Sequence, residues 1–190
     1  MKKKSLSQSH SKKTSRKTIS RVIYPGSFDP ITMGHVDIIT RLSKSFDEVV
    51  VLVANNAQKN FLFSAEERKG LIIEAVEGYH NISVDIFDGL TVNYMKKHGI
   101  DKIVRGLRAV VDFEYEMTMA NINRKLEPEI ETLLVFASPE YYYISSRSVK
   151  EVALNGGSLK DLVPSCVKKP LLKKLQLIKE KGRYVIPKST

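Results

Sequence analysis

Residues 24 to 35, YPGSFDPITMGH, bring two prolines, two glycines, a serine, an aspartate and a histidine together directly after a short apolar run. A serine hydroxyl, the free amides of a helix start and an imidazole are the groups that hold phosphate and meet charge developing on it. Gly26 leaves room for a close approach that a side chain would forbid. From Thr32 onward the sequence takes on helical spacing, with Ile38, Ile39 and Leu42 on one side. Thr32 is then the natural cap, and Gly34 and His35 occupy the first turn. The dipole of such a helix supplies only ~0.3–1 kcal/mol at an exposed site, against the ~8 kcal/mol or more asked of an enzyme. That is enough to help bind a phosphate and too little to transform one.

Two further stretches carry usable groups. In YYYISSRSVKEVA, residues 141 to 153, Ser145 and Ser146 stand where a helix would start and offer hydroxyls and amides together. Ordinary serine capping explains that stretch equally well when it stands alone. In RGLR, Arg105 and Arg108 flank Gly106 and Leu107 at the end of an apolar run, and Gly106 permits close backbone approach. In isolation, two surface arginines on a turn read the same way. No Ser/His/Asp or Cys/His arrangement stands out, and the single Cys166 excludes an internal disulfide and a cysteine-cluster metal site.

The elements that must position these groups alternate along the chain. Residues 21 to 24, 48 to 54, 82 to 87, 102 to 106 and 131 to 137 read as strands, some apolar enough to be buried on both faces. Between them lie helical patterns at 34 to 45, 64 to 78, 91 to 98 and 111 to 126, with further helices after 145. SAEE opens the second, where Ser64 and Glu67 form a capping box. The alternation implies an α/β fold: one five-stranded parallel sheet with helices on both faces and a helical C-terminal segment. Such sheets take ligands at the carboxyl ends of their strands, where strand order reverses. The 111 to 126 pattern has a wide apolar surface, with Phe113, Met117 and Ala120 on one stripe and Met119, Ile122 and Leu126 on another. It reads as core or subunit contact.

Charge divides the chain into three. The net charge is +10, yet residues 1 to 20 hold seven Lys/Arg without an acid, and residues 168 to 190 hold eight against one. The body between them, 21 to 167, has sixteen basic and twenty acidic residues, which argues against nucleic acid as the partner of the folded surface. Residues 1 to 20 read as a disordered basic tail, 21 to 167 as one domain, and 168 to 190 as a basic helical segment and tail. No stretch has the length of a membrane span, and nothing resembles a signal peptide. The expectation is a cytoplasmic protein that meets neither membrane nor nucleic acid.

Together the motifs carry a resemblance. TMGH resembles the (H/T)xGH motif of the nucleotidylyltransferase superfamily, and ISSRSVK resembles its ISSxxx(R/K) partner, with Lys150 at the basic position. The combination of YPGSFDPITMGH, RGLRAVVDFEYE and YYYISS is similar to the bacterial phosphopantetheine adenylyltransferase family, from about Arg21 to Leu175. That resemblance implies a Rossmann-like domain, a homohexamer, and AMP transfer from ATP to 4'-phosphopantetheine with Mg2+, giving dephospho-coenzyme A and pyrophosphate. It also implies that Ser27, Phe28 and His35 meet ATP, with His35 stabilising the transition state. Ser27, Lys59, Thr91 and Arg105 match the acceptor-binding positions. Gly106, Leu107, Arg108, Glu116, Tyr141, Tyr142, Tyr143, Ile144, Ser145, Ser146 and Arg147 match nucleotide-binding positions. Within the superfamily the alternatives are AMP transfer to a nicotinate or nicotinamide mononucleotide and CMP transfer to a polyol phosphate. Outside it they are nucleic-acid binding through the basic tails and nucleotide binding without chemistry.

Overall fold

A computed structural model of the chain describes residues 19–55, 60–108 and 110–180. Most of the expected N-terminal tail, the tail beyond 180, and Lys59 lie outside the described residues. Five strands, β1 (Arg21–Gly26), β2 (Glu48–Ala54), β3 (Ile82–Phe87), β4 (Lys102–Leu107) and β5 (Glu131–Phe136), form one parallel sheet in the order β3-β2-β1-β4-β5. The helices are α1 (Met33–Ser45), α2 (Ala65–Ala75), α3 (Thr91–His98), α4 (Val110–Leu126), α5 (Ser146–Leu154) and α6 (Ser165–Glu180).

The continuous apolar run EVVVLVA is explained by cover on both faces of β2. Val49, Val51 and Val53 enter a core shared with α1, α2, α5 and α6. Val50 and Leu52 enter a second core with Ile23, Ile103 and the α3 residues Val92 and Met95. Alternate residues of one strand thus serve opposite cores, as the period of a strand requires. The expected caps form: Thr32 starts α1, and Ser64 with Glu67 closes a box at α2. α6 runs without a break across residues 167 and 168, and its Val167, Leu171 and Leu175 are buried in the larger core.

Strand order reverses between β1 and β4, and there the sheet is least tightly laced. β1 and β4 pair at a single register, Ile23 with Ile103, whereas β1 pairs β2 from Arg21↔Glu48 through Gly26↔Val53. A switch point is where such a sheet is expected to hold a crevice. Gly106 lines the cavity and also has a packing task. A Cβ there would stand 2.6 Å from Ile38 Cδ1 and 3.3 Å from the Tyr24 hydroxyl. One close approach it permits is that of α1 onto the sheet.

Candidate active site

A cavity of about 360 Å³ opens at the carboxyl ends of β1 and β4, between the start of α1 and the start of α5. Its walls include Ser27, Phe28, His35, Arg105, Gly106, Arg108, Glu116, Tyr141, Ile144, Ser145, Ser146 and Arg147. Residues more than a hundred positions apart therefore converge on one space. Leu107, Tyr142, Tyr143 and Thr91 are not part of this lining. Leu107 is buried, the two tyrosines are exposed, and Thr91 begins α3 after β3 at the sheet's edge.

The β1 side is organised by packing. Phe28 adopts φ 48, a left-handed conformation that costs a residue with a side chain on the order of 1–3 kcal/mol. Its ring turns back under the strand: a Cβ on Gly26 would lie 2.8 Å from Phe28 Cζ. The space that Gly26 clears is thus taken by this ring. Phe28 meets Tyr24 edge-on at 5.6 Å and His35 at 5.1 Å between ring centroids. It forms an apolar wall against the imidazole.

His35 is fixed by the helix cap. The Thr32 amide donates to His35 Nδ1 at 3.1 Å, and the His35 amide donates to the Thr32 hydroxyl at 3.4 Å. An amide can only donate, so Nδ1 is the acceptor and the ring proton of neutral His35 sits on Nε2, at the opposite side of the ring. Burial, and secondarily the Arg108 guanidinium, bring its pKa down to about 4 from the ordinary 6.5. Near neutral pH this imidazole is an uncharged Nε2–H donor.

Two connections brace that wall. Asp29 accepts the Leu62 amide at 3.0 Å, the Phe63 amide at 2.9 Å and Lys150 Nζ at 2.9 Å, all in the interior. Lys150, the basic residue of ISSRSVK, is consequently spent on Asp29 and is not part of the cavity's lining. The Ser146 hydroxyl donates to the Pro30 carbonyl at 2.8 Å and ties α5 to the loop after β1. Ser145 caps α5, and its amide donates to Ser148 Oγ at 2.9 Å. Of the two serine amides expected to face a ligand, that of Ser145 is engaged in the cap. Ser146 opens α5, where amides have no helical acceptor.

The β4 side carries charge. Arg105 grips Glu116 with two bonds, Nε to Oε2 at 2.6 Å and Nη2 to Oε1 at 2.7 Å, and Nη1 donates to the Pro25 carbonyl at 3.0 Å. Burial opposes the charge on Arg105, but the bonds from Glu116 outweigh it and raise its pKa above the usual value. Three of the five guanidinium hydrogens are used, which leaves two for a ligand. Arg108 pairs with Asp112 at 3.2 Å and is exposed. Among the described residues no group of three or more His, Cys, Asp or Glu is placed to hold a metal ion. The acids of the lining, Asp112 and Glu116, each face an arginine.

Sequence reasoning passed over several participants. Tyr24, Thr32, Ile38 and Asp112 line the cavity, and Asp29 and Arg68 are buried behind it. Asp29 lies inside the quoted motif between Phe28 and Pro30, and an acid so placed between apolar residues was a readable signal. Arg68 sits in a helical pattern as an ordinary charged residue and gives none.

Residues 23–152 match the family model described as cytidylyltransferase-like. The phosphopantetheine adenylyltransferase of Bdellovibrio bacteriovorus is 67% identical over 154 residues, covering 81% of this chain and 96% of that protein. That of Anaeromyxobacter dehalogenans is 52% identical over 80% of this chain and 93% of its own length. A candidate nicotinate-nucleotide adenylyltransferase from Vibrio parahaemolyticus, known from its crystal structure, superposes with a TM-score of 0.60. That match covers 82% of this chain and 99% of the other at 17% identity, and it speaks for the fold alone. No helix among the described residues is long and apolar enough to cross a membrane. With two-thirds identity sustained over nearly the whole length of a relative, the chain belongs to the phosphopantetheine adenylyltransferase family.

Proposed function

We propose that this protein transfers the AMP unit of ATP to the phosphate of 4'-phosphopantetheine in the switch-point cavity, giving dephospho-coenzyme A and pyrophosphate. Family membership supports the reaction. The observation that carries its placement is the convergence of His35, Arg105 and the start of α5 on one cavity. A phosphate oxygen of the acceptor attacks the α-phosphorus in line, a new P–O bond forms, and the bond to pyrophosphate breaks. The attacking oxygen is already ionised near neutral pH, so no base is required and no enzyme nucleophile intervenes.

The obstacle is repulsion between two anions. A neutral Nε2–H of His35 can donate to an α-phosphate oxygen as negative charge grows there, and a preorganised donor of this kind contributes ~2.7–4 kcal/mol. Arg105 can offer its two remaining hydrogens to the acceptor phosphate while Glu116 and Pro25 hold its plane. This gives Glu116 a positioning task beside the nucleotide contact its motif implies. Arg108 and the first amides of α5 serve the triphosphate, with Ser27 and Phe28 between the two substrates. Lys59 and Thr91 complete the acceptor side in this reading. Mg2+ bound with ATP would supply charge neutralisation beside Arg108 and the first amides of α5, the lining acids Asp112 and Glu116 each being turned to an arginine.

The assembly we propose is a homohexamer in the cytoplasm. α4 and the end of β5 leave Phe113, Met117, Ile122, Leu126 and Phe136 between 43% and 73% exposed, a surface that suits contact with further copies. Pyrophosphate release is the deciding assay, run on purified protein with ATP, Mg2+ and each acceptor in turn. Release with 4'-phosphopantetheine is expected, and release with nicotinate mononucleotide alone overturns the assignment. Deleting residues 1 to 20 is expected to leave turnover unchanged.

A further inference from the structure

We infer that Arg68 is a positioning residue that fixes the Ser27 turn against the end of β2, so that the groups on the β1 side meet both substrates in register. The inference rests on the function proposed above. Arg68 lies in α2, is completely buried and is not part of the cavity lining. Its Nη1 donates to the Ser27 carbonyl at 2.7 Å and to the Ala54 carbonyl at 3.2 Å, and its Nη2 donates to Asn55 Oδ1 at 3.1 Å. The guanidinium plane lies over the Phe61 ring at 4.0 Å.

The placement relative to the sheet gives these contacts their meaning. The β1/β2 ladder ends at Gly26↔Val53. Ser27 and Ala54 are the next residues, and the guanidinium bridges their carbonyls where the ladder stops. Arg68 therefore continues the registration of two strands into the turn that carries Ser27 and Phe28. Ser27 is exposed to the cavity, and this bridge holds its carbonyl, whereas the Asp29 and Pro30 contacts hold the turn further along.

Stability alone does not account for an arginine here. The hydrogen-bond partners of Arg68 are neutral, the Asp29 carboxylate does not offset the burial that lowers its pKa, and its Nε is the one buried side-chain nitrogen or oxygen without a partner among the described residues. Burying a charge in such company is unfavourable, and an apolar side chain of similar volume would often be as stable or more so. What an apolar residue cannot do is hold two carbonyls and an amide oxygen in one plane. Lysine cannot do so either, because its single ammonium lacks the planar fork and does not stack on Phe61 in the same way.

Arg68→Lys in the full-length protein separates positioning from folding. The measurements are Tm, the Kd of a non-reacting ATP analogue, and kcat and KM with ATP and 4'-phosphopantetheine. With Tm close to wild type and analogue affinity held within about threefold, kcat is expected to fall at least about tenfold, since displacements near 1 Å cost up to about a hundredfold. A kcat within about twofold of wild type overturns the inference, and so does a loss of kcat matched by equal losses of analogue affinity and Tm. Should Arg68→Lys not fold, Asn55→Ala removes only the Nη2 contact. A fall in kcat of about threefold or more at unchanged Tm is then expected, and unchanged kcat overturns the inference. A wild-type protein without AMP transfer defeats the proposed function itself, whereas an active wild type beside an equally active Arg68→Lys defeats only the role of Arg68.

Discussion

The two sides of the cavity solve different problems. On the β1 side the ion pair of Asp29 with Lys150 is closed to solvent at 6% and 8% side-chain exposure, and what faces the cavity is a neutral imidazole, an aromatic ring and a serine. On the β4 side the arginines face the cavity with acids beside them, and both pairs are more open, Arg105 with Glu116 at 29% and 9%, Arg108 with Asp112 at 43% and 26%. Charge buried behind a wall sets geometry and is hardly screened, while charge in a wall attracts ligand and is screened by salt. In the proposed reaction this arrangement separates the aiming of the His35 donor from the attraction of anions.

The sharpest way to break that comparison is Asp29→Ala. It leaves the Lys150 ammonium buried without its partner and frees the Leu62 and Phe63 amides. A loss of ~3–5 kcal/mol in urea unfolding is expected from an uncompensated buried charge. Asp29→Leu combined with Lys150→Met should recover most of the ammonium's share, though not that of the two amides. If Asp29→Ala unfolds like wild type, the pair is no brace and the contrast between the sides fails.

His35→Ala comes next and acts on rate. Removal of one preorganised donor is expected to lower kcat by about 10²–10³, or ~2.7–4 kcal/mol, with a smaller effect on ATP affinity. His35→Gln retains an uncharged N–H donor and should keep more activity than the alanine variant. Equal losses in the two would mean that the neutral-donor role assigned to the imidazole is wrong.

These residues also mark how far the sequence could be read. All five strands and the helices between them follow from apolar runs and spacing, because a doubly covered parallel sheet writes itself as continuous β-branched stretches such as EVVVLVA. Caps were legible for the same reason: Thr32, Ser64 and Ser145 act on amides a few residues away. Long-range pairing was not. Asp29 and Lys150 are 121 positions apart, and Arg68 reaches Ser27 across 41. Nothing in the local pattern around either cation distinguishes a buried brace from a solvated surface residue. The glycines were legible as close approaches but not as to partner, since what fills the space is a Phe28 or Ile38 side chain from another element.

On the β4 side the effect of Glu116→Gln should be smaller. The amide keeps one acceptor for Arg105 and loses the charge, so the guanidinium plane is held less firmly. The KM for 4'-phosphopantetheine is expected to rise about three- to tenfold, in keeping with ~1 kcal/mol for a partly exposed pair, and low salt should lessen the defect. A rise confined to ATP would place Glu116 with the nucleotide and leave Arg105 without a holder that matters.

The smallest effect is on stability against pH, and its sign follows from His35. Its folded pKa of about 4 lies below the unfolded value near 6.5, so between those values the unfolded chain binds the proton more readily. This contribution is complete above pH 6.5, declines as the pH falls toward 4, and does not change further below. The expected result is a difference in unfolding free energy between wild type and His35→Gln that is constant above pH 6.5 and shifts against wild type through that window. Because His35 is only half-buried in the lining, solvent limits the size of the shift. A difference that instead grew in favour of wild type as the pH dropped would mean that the folded protein protonates His35, and the β1 wall would then present a cation like the wall opposite.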